Sequence, residues 1–337
     1  MVSLKQVAAL AGVSSSTVSR AIVAPERLHP KTLKKVKEAI ASLDYVPFAP
    51  ARVLRSGRSR TIGIVAPTLM NELYARAVDT LESEFLQFGY TGLLTCHRDS
   101  RDLELSIVRA LIERGVDGLA LIGTSHHPDL LTMVRKLKLP YVLMWAIDRE
   151  GVHPTVGYDN QHAMGRVTEH LVTLGHARFG VLPGPAETQQ LAAVRLSGIR
   201  EGLARYGIAL RPEAVVATPH DSESVRAATR HLLSQVNAPT ALICNNDRIA
   251  ASAIAECRAM GISVPHSVSV TGFGDWDLAT LGSPSLTTVH SDAVRIGSLS
   301  AKSLLEQINH CGEPVVKQEE FEAELVVRES TSNPPDE

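Results

Sequence analysis

The chain opens with hydrophobic positions spaced for two short helices over residues 4–22. The apolar face of each helix consists of a few residues, namely Val7, Ala8 and Ala11 in the first and Val18 and Ile22 in the second. Gly12 supplies the permissive backbone of a tight turn, and Ser14 is placed to cap the second helix. The pattern predicts a helix-turn-helix, although an ordinary surface hairpin with capping serines would produce the same spacing.

The outer face of the second helix carries short hydroxyl side chains and one guanidinium, from Ser15, Ser16, Ser19 and Arg20. A helix start rich in hydrogen-bonding groups is typical of an element that reads bases in the major groove. Pro25 interrupts the pattern, and Pro30 begins a third helix whose apolar positions recur through about residue 44. These helices predict a small all-α head over residues 1–46.

Residues 47–60 form a segment of different character. Pro47 and Pro50 prevent one continuous helix and leave room for one or two helical turns before Gly57. Such a short helix forms only when something packs against it, because nucleation is costly. Leu54 lies there among basic residues, which are Arg52, Arg55 and Arg58. A leucine surrounded by arginines fits a minor-groove wedge with phosphate contacts, and a plain basic linker remains the alternative.

From residue 61 onward, strand-like apolar runs alternate with amphipathic helices. The predicted strands lie at 61–67, 92–96, 118–123, 141–145, 155–158, 178–184, 214–218, 240–245, 268–273 and 286–290. The predicted helices lie at 72–88, 101–114, 128–137, 160–174, 187–206, 221–235, 247–260 and 292–309. This alternation indicates parallel sheets with helical crossovers. The scheme repeats in two halves, so we expect an α/β domain of two doubly wound parallel-sheet lobes with a cleft between them.

Composition favours a globular protein of the cell interior. The chain has 337 residues, 44% of them hydrophobic, and no run approaches the roughly 18 apolar residues of a membrane helix. Its start shows no charged-then-apolar export signal, so a cytoplasmic location and no membrane partner are expected. The four cysteines, Cys96, Cys244, Cys257 and Cys311, are scattered and predict small buried thiols. We expect no metal site and no cofactor.

The distribution of charge points to nucleic acid. Residues 1–60 contain eleven Lys or Arg against three acids, a net charge of +8, whereas the remaining residues carry −10. The overall charge of −2 conceals this split. A basic segment joined to an acidic body is the electrostatic pattern of a phosphate-binding head. It favours the DNA-reading interpretation over the surface hairpin.

Taken together, the motifs resemble those of LacI/GalR-family transcriptional regulators along nearly the whole chain. The motifs that carry the resemblance are LKQVAALAGVSSSTVSRAI (4–22), ARVLRSG (51–57), RLSG (195–198), NND (245–247), VSVTGFGD (268–275) and PSLTTVH (284–290). The resemblance implies a homodimer that places two recognition helices in successive major grooves of a palindromic operator. It also implies that the two lobes are similar to periplasmic sugar-binding proteins, with a small ligand in the cleft.

The resemblance assigns DNA contacts residue by residue. Ser15, Ser16 and Arg20 match positions that touch base edges, and Arg20 could grip a guanine bidentately. Thr17 and Ser19 match phosphate contacts or caps. Leu54 matches the intercalating leucine of the hinge helix, and the arginines beside it, Arg52 and Arg55, are expected from the basic composition of the segment to contact DNA phosphates.

The resemblance also assigns the ligand site. The residues carried over by motif are Asn71, Tyr74, Arg195, Asn246, Asp247 and Asp275. Trp145 and Asp159 are added from their positions, because Trp145 ends a predicted strand and Asp159 precedes a predicted helix. Arg195 would hold a carboxylate or a pair of hydroxyl groups, and Trp145 could stack on a sugar face. Asp159 and Asp247 stand at helix starts, so they also fit a role as N-terminal caps.

Residues 272–277, GFGDWD, depart from the family pattern because the acid is displaced by one position. They resemble the branch that regulates gluconate genes, so a sugar acid such as gluconate is the first candidate effector. The polar end of the chain, residues 331–337, is expected to be a disordered tail without the leucine heptads of a tetramerising coiled coil.

We therefore predict a DNA-binding transcriptional regulator, expected to be a repressor, with a head (1–46), a hinge (47–60) and an effector-binding and dimerisation domain (61–330). A solute-binding receptor without a transcriptional role is the rival from another class. An enzyme is less favoured, because the chain contains no GxSxG, P-loop or HExxH motif. His126 and His127 are interpreted as a solvated loop, since no further ligand is spaced for a metal.

Overall fold

A computed structural model describes residues 2–23, 25–46, 57–123, 125–185, 190–219, 221–310 and 317–335. The chain divides into two compact units. The first contains Met1–Thr61 together with Leu111–Asp117, and the second contains Ile62–Ala110 together with Gly118–Glu337. No helix in the described ranges has the length and apolar character needed to cross a bilayer.

The first unit contains the head predicted from the sequence. Its helices are α1 (Leu4–Ala11), α2 (Ser15–Val23) and α3 (Pro30–Ser42), with a 3₁₀ turn at Pro25–Arg27. Ser3 and Gln6 form a reciprocal capping box at the start of α1. Gly12 ends that helix with φ of 65°, a conformation that glycine adopts without strain. The core holds Val7, Ala8, Ala11, Val18, Ala21, Val36, Ala39 and Tyr45.

The second unit contains the alternating strands and helices. The strands are β1 (Thr61–Ala66), β2 (Thr91–Cys96), β3 (Gly118–Ile122), β4 (Tyr141–Met144), β5 (Thr155–Gly157), β6 (Phe179–Leu182), β7 (Ala241–Cys244), β8 (Ser269–Thr271), β9 (Thr288–His290), β10 (Gln318–Glu320) and β11 (Glu324–Val326). The helices are α4 (Glu72–Gln87), α5 (Arg101–Glu113), α6 (Pro128–Lys136), α7 (Asn160–Thr173), α8 (Gln190–Ala204), α9 (Ser222–Leu233), α10 (Asp247–Ala259), α11 (Asp277–Leu281) and α12 (Ala293–Asn309).

Two parallel sheets organise this unit. A six-stranded sheet has the order β10-β5-β4-β3-β1-β2, and a three-stranded sheet has the order β6-β7-β8. The pairs recorded in each sheet are parallel, as β3 with β4 and β6 with β7 show. A short antiparallel pair, β9 with β11, stands beside them. The predicted fold class of two parallel-sheet lobes is confirmed.

Close helix packing joins α7 and α8 in the second lobe. A Cβ atom at Gly198 would lie 2.2 Å from the backbone oxygen of Gln161, which no side chain tolerates. Glycine at this position therefore lets α8 approach α7 closely. The approach matters for the site, because α8 carries Arg195 and α7 begins at Asn160.

Several segments differ from the sequence prediction, among them the unpredicted short helix Asp277–Leu281. Residues 214–218 form no extended strand but only a single bridge between Val181 and Val215, after a 3₁₀ turn at Pro212–Ala214. The short strands β10 and β11 were not predicted, because each has only three residues and no apolar alternation. The end of the chain is also bound, since the Ser332 backbone N–H donates to Ser269 Oγ at 3.0 Å. A disordered tail beginning at 331 is therefore wrong for this part.

Candidate functional site

The first candidate site is the exposed face of α2. Ser14 Oγ accepts a hydrogen bond from the Thr17 backbone N–H at 3.2 Å, so the predicted cap is present. Val18 is fully buried in the head core and fixes the inner side of the helix. Arg20 on the opposite side is exposed. Among the residues that the structure describes, it makes no recorded hydrogen bond or ion pair, so its guanidinium remains available to another molecule.

The hydroxyl groups at the start of α2 form a local network. Ser14 Oγ lies 2.7 Å from Ser16 Oγ and 2.9 Å from Thr17 Oγ1. Ser16 is exposed, whereas Ser15 and Ser19 are half-buried. The network preorients these groups at the helix start, where backbone N–H groups favour phosphate oxygens.

The predicted hinge contacts Arg52, Leu54 and Arg55 lie outside the described residues. The segment is described again from Gly57, and Asp117 then anchors its end. The carboxylate of Asp117 accepts the backbone N–H groups of Ser59 at 2.9 Å and of Arg60 at 2.8 Å.

The second candidate site is a cavity in the second unit, lined from both lobes. Its residues follow the carboxyl ends of parallel strands: Pro67 after β1, His97 after β2, Gly123 after β3, Trp145 after β4 and Asn245 after β7. Ligands of open α/β sheets bind at this edge of the strands. The topology therefore places the cavity where a small-molecule site is expected.

Arg195 is the most buried charged side chain among the described residues that line the cavity. Its Nε donates to Asn160 Oδ1 at 2.9 Å, and its Nη1 donates to the backbone oxygen of Asn245 at 3.0 Å. Its guanidinium carbon lies 3.6 Å from the centre of the Phe273 ring. Burial lowers the pKa of Arg195 from its usual range. No carboxylate of the described chain lies within ion-pair distance of the Arg195 guanidinium. Its hydrogen-bond partners there are neutral, and a buried cation without a counter-charge favours an anionic ligand.

Two aromatic side chains form part of the wall. The rings of Tyr74 and Trp145 meet edge to face with their centres 5.0 Å apart. Burial raises the pKa of Tyr74 to about 12, so its hydroxyl stays protonated. Trp145 donates its indole N–H to Ser291 Oγ at 3.2 Å. This bond fixes the indole with its ring against the cavity.

Two predicted asparagines line the cavity as helix caps. Asn71 Oδ1 accepts the Leu73 backbone N–H at 3.0 Å at the start of α4. Asn246 Oδ1 accepts the Ile249 backbone N–H at 2.9 Å at the start of α10. The cavity thus meets two helix N-termini, whose partial positive charge favours anions.

The three predicted aspartates do not line this cavity in the described part of the chain. Asp159 caps α7 by accepting the backbone N–H groups of Gln161 and His162, and it pairs with Arg149. Of the two roles that the sequence left open for it, the structure shows the cap. In this arrangement Asp159 does not line the cavity.

Asp247 is fully buried beneath the cavity and has internal partners. Its carboxylate accepts the Trp276 backbone N–H at 2.7 Å and the Thr288 hydroxyl. Burial raises the pKa of Asp247 to about 6. One oxygen of Asp247 thus supports the loop that carries Trp276 and the other holds Thr288 of β9, and Asp247 does not line the cavity in the described part of the chain.

Asp275 forms an ion pair with Arg328 and contacts His290 away from the cavity. Its Oδ1 lies 2.6 Å from Arg328 Nη2 and its Oδ2 lies 2.9 Å from His290 Nδ1. The displaced acid in the family motif thus meets a salt-bridge partner that comes much later in the chain. Asp275 is held by these two partners and does not line the cavity in the described part of the chain.

Several lining residues escaped sequence reasoning. They are His97, Arg101, Asn245, Arg248 and Trp276. The position of Asn245 at the end of a predicted strand, and of His97 directly after another, could have signalled them, because strand ends converge at the cleft. Nothing in the local pattern singled out Trp276.

The histidine pair differs from the predicted solvated loop. His126 is buried, with Nδ1 2.7 Å from Glu104 Oε1 and Nε2 2.9 Å from the Gly123 backbone oxygen. His127 instead caps α6 by accepting the Asp129 backbone N–H. Within the described ranges, no group of His, Cys, Asp and Glu side chains is arranged to hold a metal.

Comparison with known proteins agrees with this geometry. Residues 3–47 match the family of bacterial regulatory proteins, lacI family, and residues 168–331 match a periplasmic binding protein-like domain. The chain is similar to the HTH-type transcriptional repressor PurR of Photobacterium profundum, with 32% identity over 99% of both chains.

Solved structures show the same likeness. A Lac repressor dimer bound to operator and the anti-inducer ONPF is 27% identical, with a TM-score of 0.86 over 98% of this chain and 99% of that one. A complex of the transcriptional regulator CelR with cellobiose is 29% identical, with a TM-score of 0.70 over 98% and 100%. The chain therefore belongs to the lacI family of bacterial regulatory proteins: it is a DNA-binding transcriptional repressor with a ligand-binding domain, and not an enzyme.

Proposed function

We propose that this repressor binds a palindromic operator as a homodimer and that a small sugar or sugar acid in the cavity controls its operator affinity. The observation that carries the proposal is the buried guanidinium of Arg195, which has no carboxylate partner in the described chain and lines a cavity at the strand ends. A repressor needs such a site to sense a metabolite.

The contacts proposed for DNA are those of α2. Ser15, Ser16 and Arg20 would meet base edges, and Thr17 and Ser19 would meet phosphates. The exposure of Arg20 and the hydroxyl network around Ser14 support this assignment. Leu54, with Arg52 and Arg55 beside it, would insert into the minor groove as the sequence pattern indicates.

The ligand contacts proposed are Arg195, Asn71, Tyr74, Trp145 and Asn246. All five line one cavity, and together they supply a guanidinium, polar amides and aromatic faces. Cellobiose in the complex of the related CelR protein supports a sugar-like ligand. Gluconate remains the first candidate among the sugar acids because of the GFGDWD resemblance.

Exposed apolar residues of the first lobe support the homodimer. Leu93 and Leu94 lie exposed on β2, which is the edge strand of the six-stranded sheet. Leu86 and Phe88, at the end of α4, are also exposed. Unpaired edge strands with apolar side chains require a partner to avoid non-specific association.

A thermal-shift screen of the full-length protein tests the proposal. The panel contains neutral sugars, sugar acids and sugar phosphates, and a ligand that binds the folded state raises the melting temperature. We expect at least one member to raise it in the wild-type protein and to lose most of that effect in Arg195→Ala. Absence of a shift across the whole panel would contradict the sugar-like effector.

A further inference from the structure

Three buried side chains of the cavity carry polar atoms without a hydrogen-bond partner in the described chain. They are the indole nitrogen of Trp276, Oδ1 of Asn245 and both ring nitrogens of His97. Each of these residues is more than nine-tenths buried. A buried polar group left unbonded is costly, so such a cluster in one cavity indicates groups that a ligand completes.

The loop around residue 274 presents the Trp276 N–H. The Trp276 backbone N–H donates to Asp247, which fixes the main chain. Gly274 adopts φ of 131°, and a Cβ atom there would lie 2.3 Å from Trp276 Nε1. The indole therefore occupies space that exists only because residue 274 has no side chain.

Two carboxylates near this loop are bonded to other protein groups and do not line the cavity. Asp275 turns to Arg328 and His290, and Asp247 turns to Trp276 and Thr288. Within the described part of the lining, Asp99 is the one acid, whereas the basic side chains are Arg101, Arg195 and Arg248. The wall of the cavity thus offers hydrogen-bond donors and positively charged side chains, where the family resemblance predicts a carboxylate.

We infer that Trp276 is a specificity-determining ligand donor and that the ligand is a polyhydroxylated oxyanion. Arg195 binds the carboxylate or phosphate group, one ligand oxygen accepts the Trp276 N–H, and one hydroxyl donates to Asn245 Oδ1. This inference rests on the proposed effector site and narrows its ligand to an anionic class. Carboxylate and phosphate share the chemistry that a guanidinium recognises.

Calorimetric titration of the full-length protein with three probes tests whether the ligand is an oxyanion. Gluconate and glucitol differ only in a carboxylate against a CH₂OH group, and glucitol 6-phosphate adds a phosphate to glucitol without any carboxylate. We expect gluconate or glucitol 6-phosphate to bind at least about tenfold more tightly than glucitol, and the stronger of the two identifies the oxyanion. Equal binding of glucitol, or no binding by either anion, would overturn the inference.

The variant Trp276→Phe tests the donor, because it keeps an aromatic ring and removes the N–H. Since that N–H has no internal partner in the described chain, the melting temperature without ligand should not fall. Affinity for the tighter-binding anion should fall about tenfold, as expected for the loss of one hydrogen bond to a charged group. Gly274→Ala should weaken binding in the same direction by displacing the indole.

Trp145→Phe provides the contrast in stability, because its N–H donates to Ser291. It should lower the melting temperature without ligand, whereas Trp276→Phe should not. An unchanged anion affinity in Trp276→Phe would overturn the donor assignment. A probe that binds but leaves operator affinity unchanged would instead contradict the proposed function and leave the donor assignment intact.

Discussion

Arg195 illustrates how single residues of the site depend on partners distant in sequence. Gly198 permits the close approach of α8 to α7, which brings Arg195 to Asn160 Oδ1. The backbone oxygen of Asn245, at the end of β7, supplies the second acceptor. A larger residue at 198 would separate the helices, and the guanidinium would lose its orientation even though no ligand contact changed.

Asp247 gives a prediction at the residue scale. Burial raises its pKa from an ordinary 3.8 to about 6, so the folded protein holds this proton more tightly than the unfolded chain. The contribution of Asp247 to stability should therefore decrease as pH rises from about 4 to about 6. Relative to Asp247→Asn, the wild-type melting temperature should fall across that window and then stay level.

The measurement is thermal melting of both proteins between about pH 4 and about pH 8, a range that spans the raised pKa. Other titrating groups are common to the two proteins, so the difference in melting temperature isolates this carboxyl group. A difference that does not vary over the lower half of that range would contradict the raised pKa of Asp247.

At the scale of elements, sequence periodicity predicted most helices and strands within a few residues. For example, α4 was expected at 72–88 and lies at Glu72–Gln87. The strands β10 and β11 could not be predicted, because a segment of only three residues becomes a strand only when a neighbouring strand pairs with it. Residues 214–218 have strand-like composition but lie after Pro212, which begins a 3₁₀ turn.

The candidate site was predicted less completely than the fold. Arg195 and Trp145 carry chemistry that identifies them from sequence, and both line the cavity. The sequence around an aspartate does not show which basic side chain it will pair with in the fold. The pairing of Asp275 with Arg328 could therefore not be predicted. The role of Trp276 depends on the absent side chain of Gly274, which only the folded loop reveals.

The recognition helix gives a prediction at the element scale. Arg20→Ala should weaken binding to a specific operator by about 10- to 100-fold, because a bidentate contact to guanine contributes about 1–3 kcal/mol of discrimination. Binding to random DNA should change much less. Fluorescence anisotropy with both DNAs at one salt concentration measures the difference.

Arg27→Ala is the matched control. Arg27 belongs to the 3₁₀ turn after α2 and is exposed, and its ion-pair contact within the described ranges is a weak one of 3.8 Å with Glu26. The Arg27→Ala substitution removes one positive charge, as Arg20→Ala does, but leaves the exposed face of α2 unchanged. Equal losses of specific binding in the two variants would show that charge alone, and not base reading by Arg20, determines operator affinity.

At the scale of the whole molecule, the apolar surface of the first lobe predicts self-association. Leu94→Arg places a charge on the exposed edge strand β2, so it should weaken the dimer. Sedimentation velocity over a range of protein concentrations measures the fraction of dimer. Leu281→Arg is the control, because Leu281 is exposed on α11 of the other lobe. A similar loss of dimer in both variants would contradict the proposed interface.

The central claim is that binding of a metabolite in the cavity changes the affinity of the protein for its operator DNA. The most direct test measures the operator affinity of the full-length protein with and without a saturating amount of the best ligand from the thermal-shift screen. The operator is a palindromic site that the protein selects from a random DNA pool. A coupling of about 1–3 kcal/mol predicts a roughly 5- to 150-fold change in Kd. An unchanged Kd with the cavity fully occupied would contradict the account.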